Sequence, residues 1–365
     1  MNILRVWYER YFTDPQVVIL ALLLVAGFMV AIYFGEMLAP VLAGIIIAYL
    51  LDGVVDKCTR LGAPRISAVV LVFILFMTFL VFALFWLMPR LSWQVTQLVQ
   101  QLPVMLGKGQ EALLHLPDKY PNLFTETQVT DLIDSIRGQI AEMTQHVLSM
   151  SYASVVGLIT LMVYIILVPV LAFFFLKDKE HILGWFSLRM PADRHLAEQV
   201  WHDVNLQVSN YVRGKVWEIV IVGAVTYATF SIMGLQYALL LATMVGFSVI
   251  IPYIGAAVAT LPIAVIAWFQ WGWSADFAWI IVAYGIIQAL DGNLLVPLLF
   301  SEVVNLHPVA IIIAVLFFGG IWGFWGVFFA IPLATLVQAV MNAWPLKEAD
   351  DEKNREMTEA GPASD

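Results

Sequence analysis

A phenol, an amide and a carboxylate recur at helical spacing near the end of the apolar part of this chain. In the segment Tyr284-Gly-Ile-Ile-Gln-Ala-Leu-Asp-Gly-Asn-Leu-Leu-Val-Pro, the residues Tyr284, Gln288 and Asp291 stand at steps of 4 and 3, which puts them on one face of a helix. Asn293 follows two residues later, and Gly292 and Pro297 give the backbone places to bend. An ionisable group in hydrocarbon costs ~2.5–3.5 kcal/mol on insertion scales, so it faces a cavity or a partner. A polar face that ends at a carboxylate beside a backbone break is a candidate site for a small polar solute or an ion. The plain alternative is that Asp291 sits in a turn at the membrane edge, in water. Glu302, Asn305 and His307 complete the candidate set for solute or ion binding, with a structural role in a loop as the plain alternative for Glu302 and Asn305. His307 reads as the cap of a helix that Pro308 begins, since Pro is tolerated at the first helical position.

Two other segments offer breaks. In Ile251-Pro-Tyr-Ile-Gly255, Pro252 removes a backbone hydrogen bond and frees carbonyls inside an apolar run, with Tyr253 and Gly255 beside it. Those carbonyls are either satisfied by neighbours or meet substrate, and the sequence leaves both open. Glycines at 319, 320, 323 and 326 let helix backbones approach closely, with a sliding surface as the functional alternative.

Enzyme chemistry is not expected. The chain has no G-x-S-x-G, no Walker phosphate loop and no H-E-x-x-H. Its single cysteine, Cys58, rules out a disulfide framework and a multi-cysteine metal site. No cofactor or metal is therefore implied. Without a nucleotide-binding domain, transport within this chain would draw on a gradient of ion or solute.

The elements that must hold these residues follow from composition. Of 365 residues, 61% are hydrophobic and 12% charged, against roughly 45–50% and about 25% in soluble domains. Lipid is the solvent such a chain needs. The net charge of -9 lies mostly in loops and tail, and no basic patch points to nucleic acid. Apolar runs of ~20 residues match a ~30 Å hydrocarbon core. They place spans at 16 to 35, 37 to 52, 66 to 88 and 152 to 176, with a tight outer turn at Glu36. A longer stretch from 216 to 344 divides into five apolar pieces. The expected fold is all-α and polytopic, with about eight membrane helices and a broken or re-entrant helix in the C-terminal half. The break falls either at Pro252 or between Asp291 and Pro308.

Basic residues orient the chain. With alternating crossings, every Lys and Arg except Arg90, Lys108, Lys119 and Arg137 falls on one side, which the positive-inside rule assigns to the cytoplasm together with both termini. The expected organisation is three spans over 1–88, a helical extracytoplasmic insertion over 89–151, a fourth span at 152–176, and a cytoplasmic amphipathic connection over 177–215. A C-terminal transport region at 216–344 and a disordered tail at 345–365 complete it. In the connection, Ile182, Trp185 and Phe186 beside mixed charge suit a helix at the headgroup level. Glu218 is expected near that inner interface, in contact with water. In the insertion, Leu91, Val95, Leu98, Leu102 and Met105, then Val129 through Met150, keep the 3.5-residue period of a coiled-coil seam. The two helices pack on each other or join protomers in a homo-oligomer.

Taken together, these motifs resemble the AI-2E transporter family over roughly residues 15 to 345. The resemblance rests on Ile251-Pro-Tyr-Ile-Gly255, on Gln288 with the following acid and Asn293, on Pro297, and on Leu306-His-Pro308 leading into Gly319, Gly320, Gly323 and Pro332. The family usually carries Glu near position 291, and this chain has the shorter Asp. Here Arg213-Gly-Lys215 stands where Gln commonly follows the glycine. The resemblance implies an eight-helix, oligomer-forming secondary transporter of the bacterial cytoplasmic membrane. Relatives are associated with export of autoinducer-2 and others with sodium or lithium exchange for protons. Export of a small polar solute through Asp291, Gln288, Asn293, Tyr284 and the Pro252 break is the leading expectation. Sodium/proton antiport at Asp291 is the runner-up, and a non-transporting membrane scaffold is the alternative of another class.

Overall fold

The computed structural model describes residues 15–114, 154–189, 195–300 and 306–343, with scattered positions between 127 and 138. Among these residues there is no strand. The helices are α1 (Pro15–Arg60), α2 (Arg65–Leu114), α3 (Ser154–Lys177), α4 (Lys179–Ser187), α5 (His195–Ile232), α6 (Ala238–Ser248), α7 (Ile254–Trp271) and α8 (Ala275–Leu290). A π-helical turn at Asp291–Leu295 leads to α9 (Val296–Phe300), followed by α10 (Pro308–Phe328) and α11 (Ala330–Ala343). Seven stretches among the described residues are long and apolar enough to cross a bilayer, in α1 (two), α2, α5, α7, α8 with its continuation to Phe300, and α10. The chain is thus an all-α polytopic membrane protein. In α2 only 17% of the most apolar window is buried inside the protein. So large an uncovered apolar surface is stable against lipid tails, not water.

Besides these seven, the apolar helix α3 has 24 residues, enough to cross a bilayer and in accord with about eight, while the expected piece at 236–251 forms a helix shorter than a bilayer. With 11 residues, α6 is about 16 Å long at 1.5 Å per residue, half the ~30 Å needed. The expected turn at Glu36 is also absent. The backbone stays helical from Pro15 to Arg60, through Pro40, since a lone acid in a run of Leu, Ala and Ile does not break a helix.

The described chain forms two compact units. One comprises residues 51–173 and 216–297. Its core gathers Phe230, Val245, Ile263, Ile280 and Tyr284, from α5 through α8. Met105 of α2 belongs to this core and Leu98 packs on it, while Gln94 Oε1 accepts from the backbone N–H of Leu240 at 2.8 Å. Leu98 and Met105 of the α2 stripe therefore pack on the core formed by α5 through α8. The remainder of the expected seam, Val129 to Met150, lies almost wholly outside the described residues, as do Ile136 and Ile140.

Within this unit α6 and α7 fold back on each other. A Cβ at Gly255 would overlap the carbonyl oxygen of Ser248, although seven residues of straight helix would separate them by about 10 Å. The reversal uses Tyr253 at φ 63° and ψ −49°, a positive-φ conformation that costs a non-glycine residue of order 1–3 kcal/mol. Gly246 lets α6 lie close against α5, since a Cβ there would stand 2.9 Å from Ile219 O and 3.3 Å from the Cα of Gly223.

The other unit comprises residues 1–50, 174–215 and 298–365, and it holds a second reversal. Gly323 has φ 56° and ψ −130°, a region open essentially to glycine. A Cβ at Gly326 would overlap the carbonyl oxygen of Phe318. The predicted cluster of glycines thus turns the chain back on itself inside α10, in addition to letting helices approach. Tyr211 anchors the far end of this hairpin: it is 1% exposed, and its hydroxyl donates to Phe328 O at 3.0 Å.

Candidate functional site

Helix α8 starts at Ser274, whose hydroxyl accepts from Phe277 N–H, and it runs regularly to Leu290. The backbone then widens, and the N–H of Val296 reaches back five residues to Asp291 O. A π-turn inside a membrane helix is a local cost that recurs at functional sites. It falls on the candidate carboxylate.

Tyr284, Gln288 and Asp291 share the inward side of this stretch. Tyr284 is 3% exposed. Its hydroxyl donates to Ala256 O at 2.9 Å, on the first turn of α7 after the Pro252 reversal. The Thr260 side chain lies on the same phenol, and the charge of Asp291 acts on it; Thr260 Oγ1 also donates to Ala256 O at 2.8 Å. Gln288 is half-buried. Its Nε2 is closed off from solvent and has no hydrogen-bond acceptor among the described residues. One carboxylate oxygen of Asp291, Oδ1, is likewise shielded. A donor amide, a carboxylate and a phenol next to a helix break make a set that could hold a hydroxylated solute or a desolvated cation.

The other expected residues fall elsewhere. Asn293 is exposed and donates from Nδ2 to Ala289 O of its own helix at 2.8 Å, so it does not join the face of Gln288. Gly292 and Pro297 are exposed. His307 is exposed and caps α10, its Nδ1 accepting from Val309 N–H at 3.2 Å. That bond uses the nitrogen a proton relay would need, and Pro308 takes the first helical position. Glu302 and Asn305 lie outside the described residues. At Pro252 the carbonyls of Phe247, Ser248, Ile251 and Pro252 each accept a local backbone N–H, so the reversal satisfies itself. Gly319 packs against Val327, while a Cβ at Gly320 would meet open space.

Several buried polar groups were not anticipated. Glu218 is 2% exposed, so it is buried and not, as expected, in contact with bulk water. Lys215 and Asp52 are also buried. The sequence signal was there, in charged residues within otherwise apolar runs, but nearness to a predicted span end concealed it. Gln270 went unnoticed too. It accepts from Gln236 N–H and donates to Gly234 O, both at 2.8 Å, and so closes the turn between α5 and α6.

A helical, multi-pass chain with polar groups collected beside broken membrane helices belongs to the class of membrane transport proteins. The model of the AI-2E family transporter matches residues 19–346, and the chain belongs to that family. It is 46% identical to "Putative permease PerM" of Escherichia coli (strain K12), over 94% of this chain and 98% of that one. It is 27% identical to "Putative transport protein YueF" of Bacillus subtilis (strain 168), over 84% of each. A "Putative transport protein" of Thermotoga maritima is 21% identical over 94% of this chain and 99% of its own length.

Proposed function

We propose that this protein is a secondary-active exporter of a small polar solute in a bacterial cytoplasmic membrane, with both termini in the cytoplasm and the solute meeting the Tyr284, Gln288 and Asp291 face. The observation that carries this reading is the Nε2 of Gln288, held away from water with no acceptor among the described residues, one turn from Asp291 where the helix opens into a π-turn. Leaving a buried donor unmade costs about 1–3 kcal/mol. Evolution tolerates such a cost where a passing ligand supplies the missing acceptor. The Ile251-Pro-Tyr-Ile-Gly reversal supports it by presenting the start of α7 to Tyr284.

The shielded Oδ1 of Asp291 favours a second reading, in which sodium and a proton alternate on that carboxylate. Flux into proteoliposomes of purified protein tests both. Solute-driven flux that persists in Asp291→Asn with altered affinity supports export. Sodium flux that varies steeply with pH and vanishes in Asp291→Asn supports antiport. Absence of any flux in the parent protein, with the phenotype lost only on removing residues 95–147, would instead support a scaffold.

A further inference from the structure

The apolar helix α3 ends at Lys177, and the chain turns at Asp178 into α4, a helix of nine residues. The redirection keeps its backbone bonded, Asp178 N–H to Phe174 O at 2.8 Å and Ile182 N–H to Asp178 O at 2.9 Å. On α4 and its exit, His181, Trp185 and Leu188 follow at steps of 4 and 3, and all are exposed. Leu188 is 85% exposed and Trp185 48%. A soluble surface seldom leaves an indole and a leucine side by side in this way at a helix that begins where a membrane helix stops.

Arg189 completes the patch. Its guanidinium carbon lies 3.8 Å from the centre of the Trp185 ring, and its Nη1 donates to Trp185 O at 3.1 Å. One N–H of the guanidinium is thus held, and Arg189 is exposed, so the remaining donors of its fork can meet a ligand. Lys177 is not equivalent, since its ammonium pairs with Asp178 at 3.8 Å. The same local device occurs once more, independently, on α2. There Arg90 lies 4.3 Å over Trp86 and donates to Trp86 O at 2.9 Å. On α2, Trp86 comes 21 positions after Arg65, about 32 Å of helix, which is one hydrocarbon thickness. An arginine over a tryptophan four residues before it therefore occurs both at the exit of α4, after the apolar helix α3, and about one hydrocarbon thickness along α2.

We infer that the Trp185, Leu188 and Arg189 corner is a docking surface for the headgroup layer of an anionic phospholipid. The indole and Leu188 enter the glycerol and upper acyl zone, as amphipathic rings do at membrane interfaces. The stacked guanidinium takes the phosphodiester, which its planar fork fits better than an ammonium would. The partner is a lipid and not free phosphate, because the apolar half of the patch gives inorganic phosphate nothing to cover.

The full-length protein in detergent, doped with equal phosphatidylglycerol and phosphatidylcholine, tests this by native mass spectrometry. Phosphatidylglycerol is expected to be retained several-fold over phosphatidylcholine, less so in Arg189→Gln and Trp185→Ala, and to withstand excess inorganic phosphate. Equal retention of the two lipids, or displacement by inorganic phosphate, would overturn the inference. Because Trp185→Ala could disturb α4, a second measurement uses Leu188→Cys on a Cys58→Ser background, spin-labelled in phosphatidylglycerol vesicles. Collisions with oxygen should exceed those with a water-soluble nickel chelate, and the reverse order places the corner in water and ends the proposal.

Discussion

The hydroxyl of Tyr284 donates to the carbonyl of Ala256 at 2.9 Å, and this bond ties the polar face of α8 to the first turn after the Pro252 reversal. Thr260 donates to the same oxygen. Removing the phenol oxygen leaves Ala256 O with an acceptor site still used. Tyr284→Phe should therefore cost only about 0.5–1.5 kcal/mol of stability in detergent, while transport falls by more than that small loss would give. Unchanged flux in a folded Tyr284→Phe protein would separate this bond from transport.

Gly292 and Gly255 should respond in opposite ways to the same substitution. A Cβ at Gly292 meets open space, and alanine favours helix over glycine by about 1 kcal/mol. Gly292→Ala should raise thermal stability and, by stiffening the π-turn next to Asp291, slow flux. Gly255→Ala puts a methyl on the carbonyl oxygen of Ser248, a backbone atom with no freedom to move aside. That variant should lose several kcal/mol, seen as low yield and a lower melting temperature. Equal behaviour of the two would contradict the hairpin geometry of α6 and α7.

How much of this was legible in the sequence depends on the kind of signal. The face of Tyr284, Gln288 and Asp291 could be read because steps of 4 and 3 fix the side of a helix whatever surrounds it. The partner of a stripe could not. Leu98 and Met105 have coiled-coil spacing, yet they pack on the α6–α7 core, because periodicity reports that a face is apolar and not what covers it. The glycines from 319 to 326 suggested close helix packing, while the reversal depends on one positive φ at Gly323, which composition does not reveal. Glu218 was placed in water by its distance along the chain from a span end. It is 2% exposed, because burial depends on which elements fold against a residue and not on its distance from a span end.

Gly323 and Gly320 make a second contrast. With φ 56° and ψ −130°, Gly323 occupies a conformation no side chain adopts cheaply. Gly323→Ala should destabilise by about 1–3 kcal/mol, whereas Gly320→Ala, with open space around its Cβ, should be close to neutral. Melting temperatures of the two variants in one detergent decide it, and a neutral Gly323→Ala would remove the reversal from α10.

The corner at Gly214 gives a prediction whose rescue identifies its cause. A Cβ there would stand 2.7 Å from Cε1 and 3.1 Å from Cζ of Phe300, and 3.2 Å from the carbonyl oxygen of Leu299. The ring also contacts its neighbours: its centroid is 5.8 Å from that of Tyr211, and Lys215 Nζ lies 5.2 Å from its centre. Gly214→Ala must push the ring out of this setting, at a cost of about 1–3 kcal/mol for overpacking. Phe300→Leu alone should also destabilise, by loss of buried ring area. The two changes together should cost less than their sum, since leucine withdraws the atoms nearest the new methyl. Recovery should remain incomplete, because the Leu299 oxygen belongs to the backbone and stays in place. A double-mutant cycle on thermal stability measures the coupling, and additive losses would show that Phe300 does not rest on Gly214.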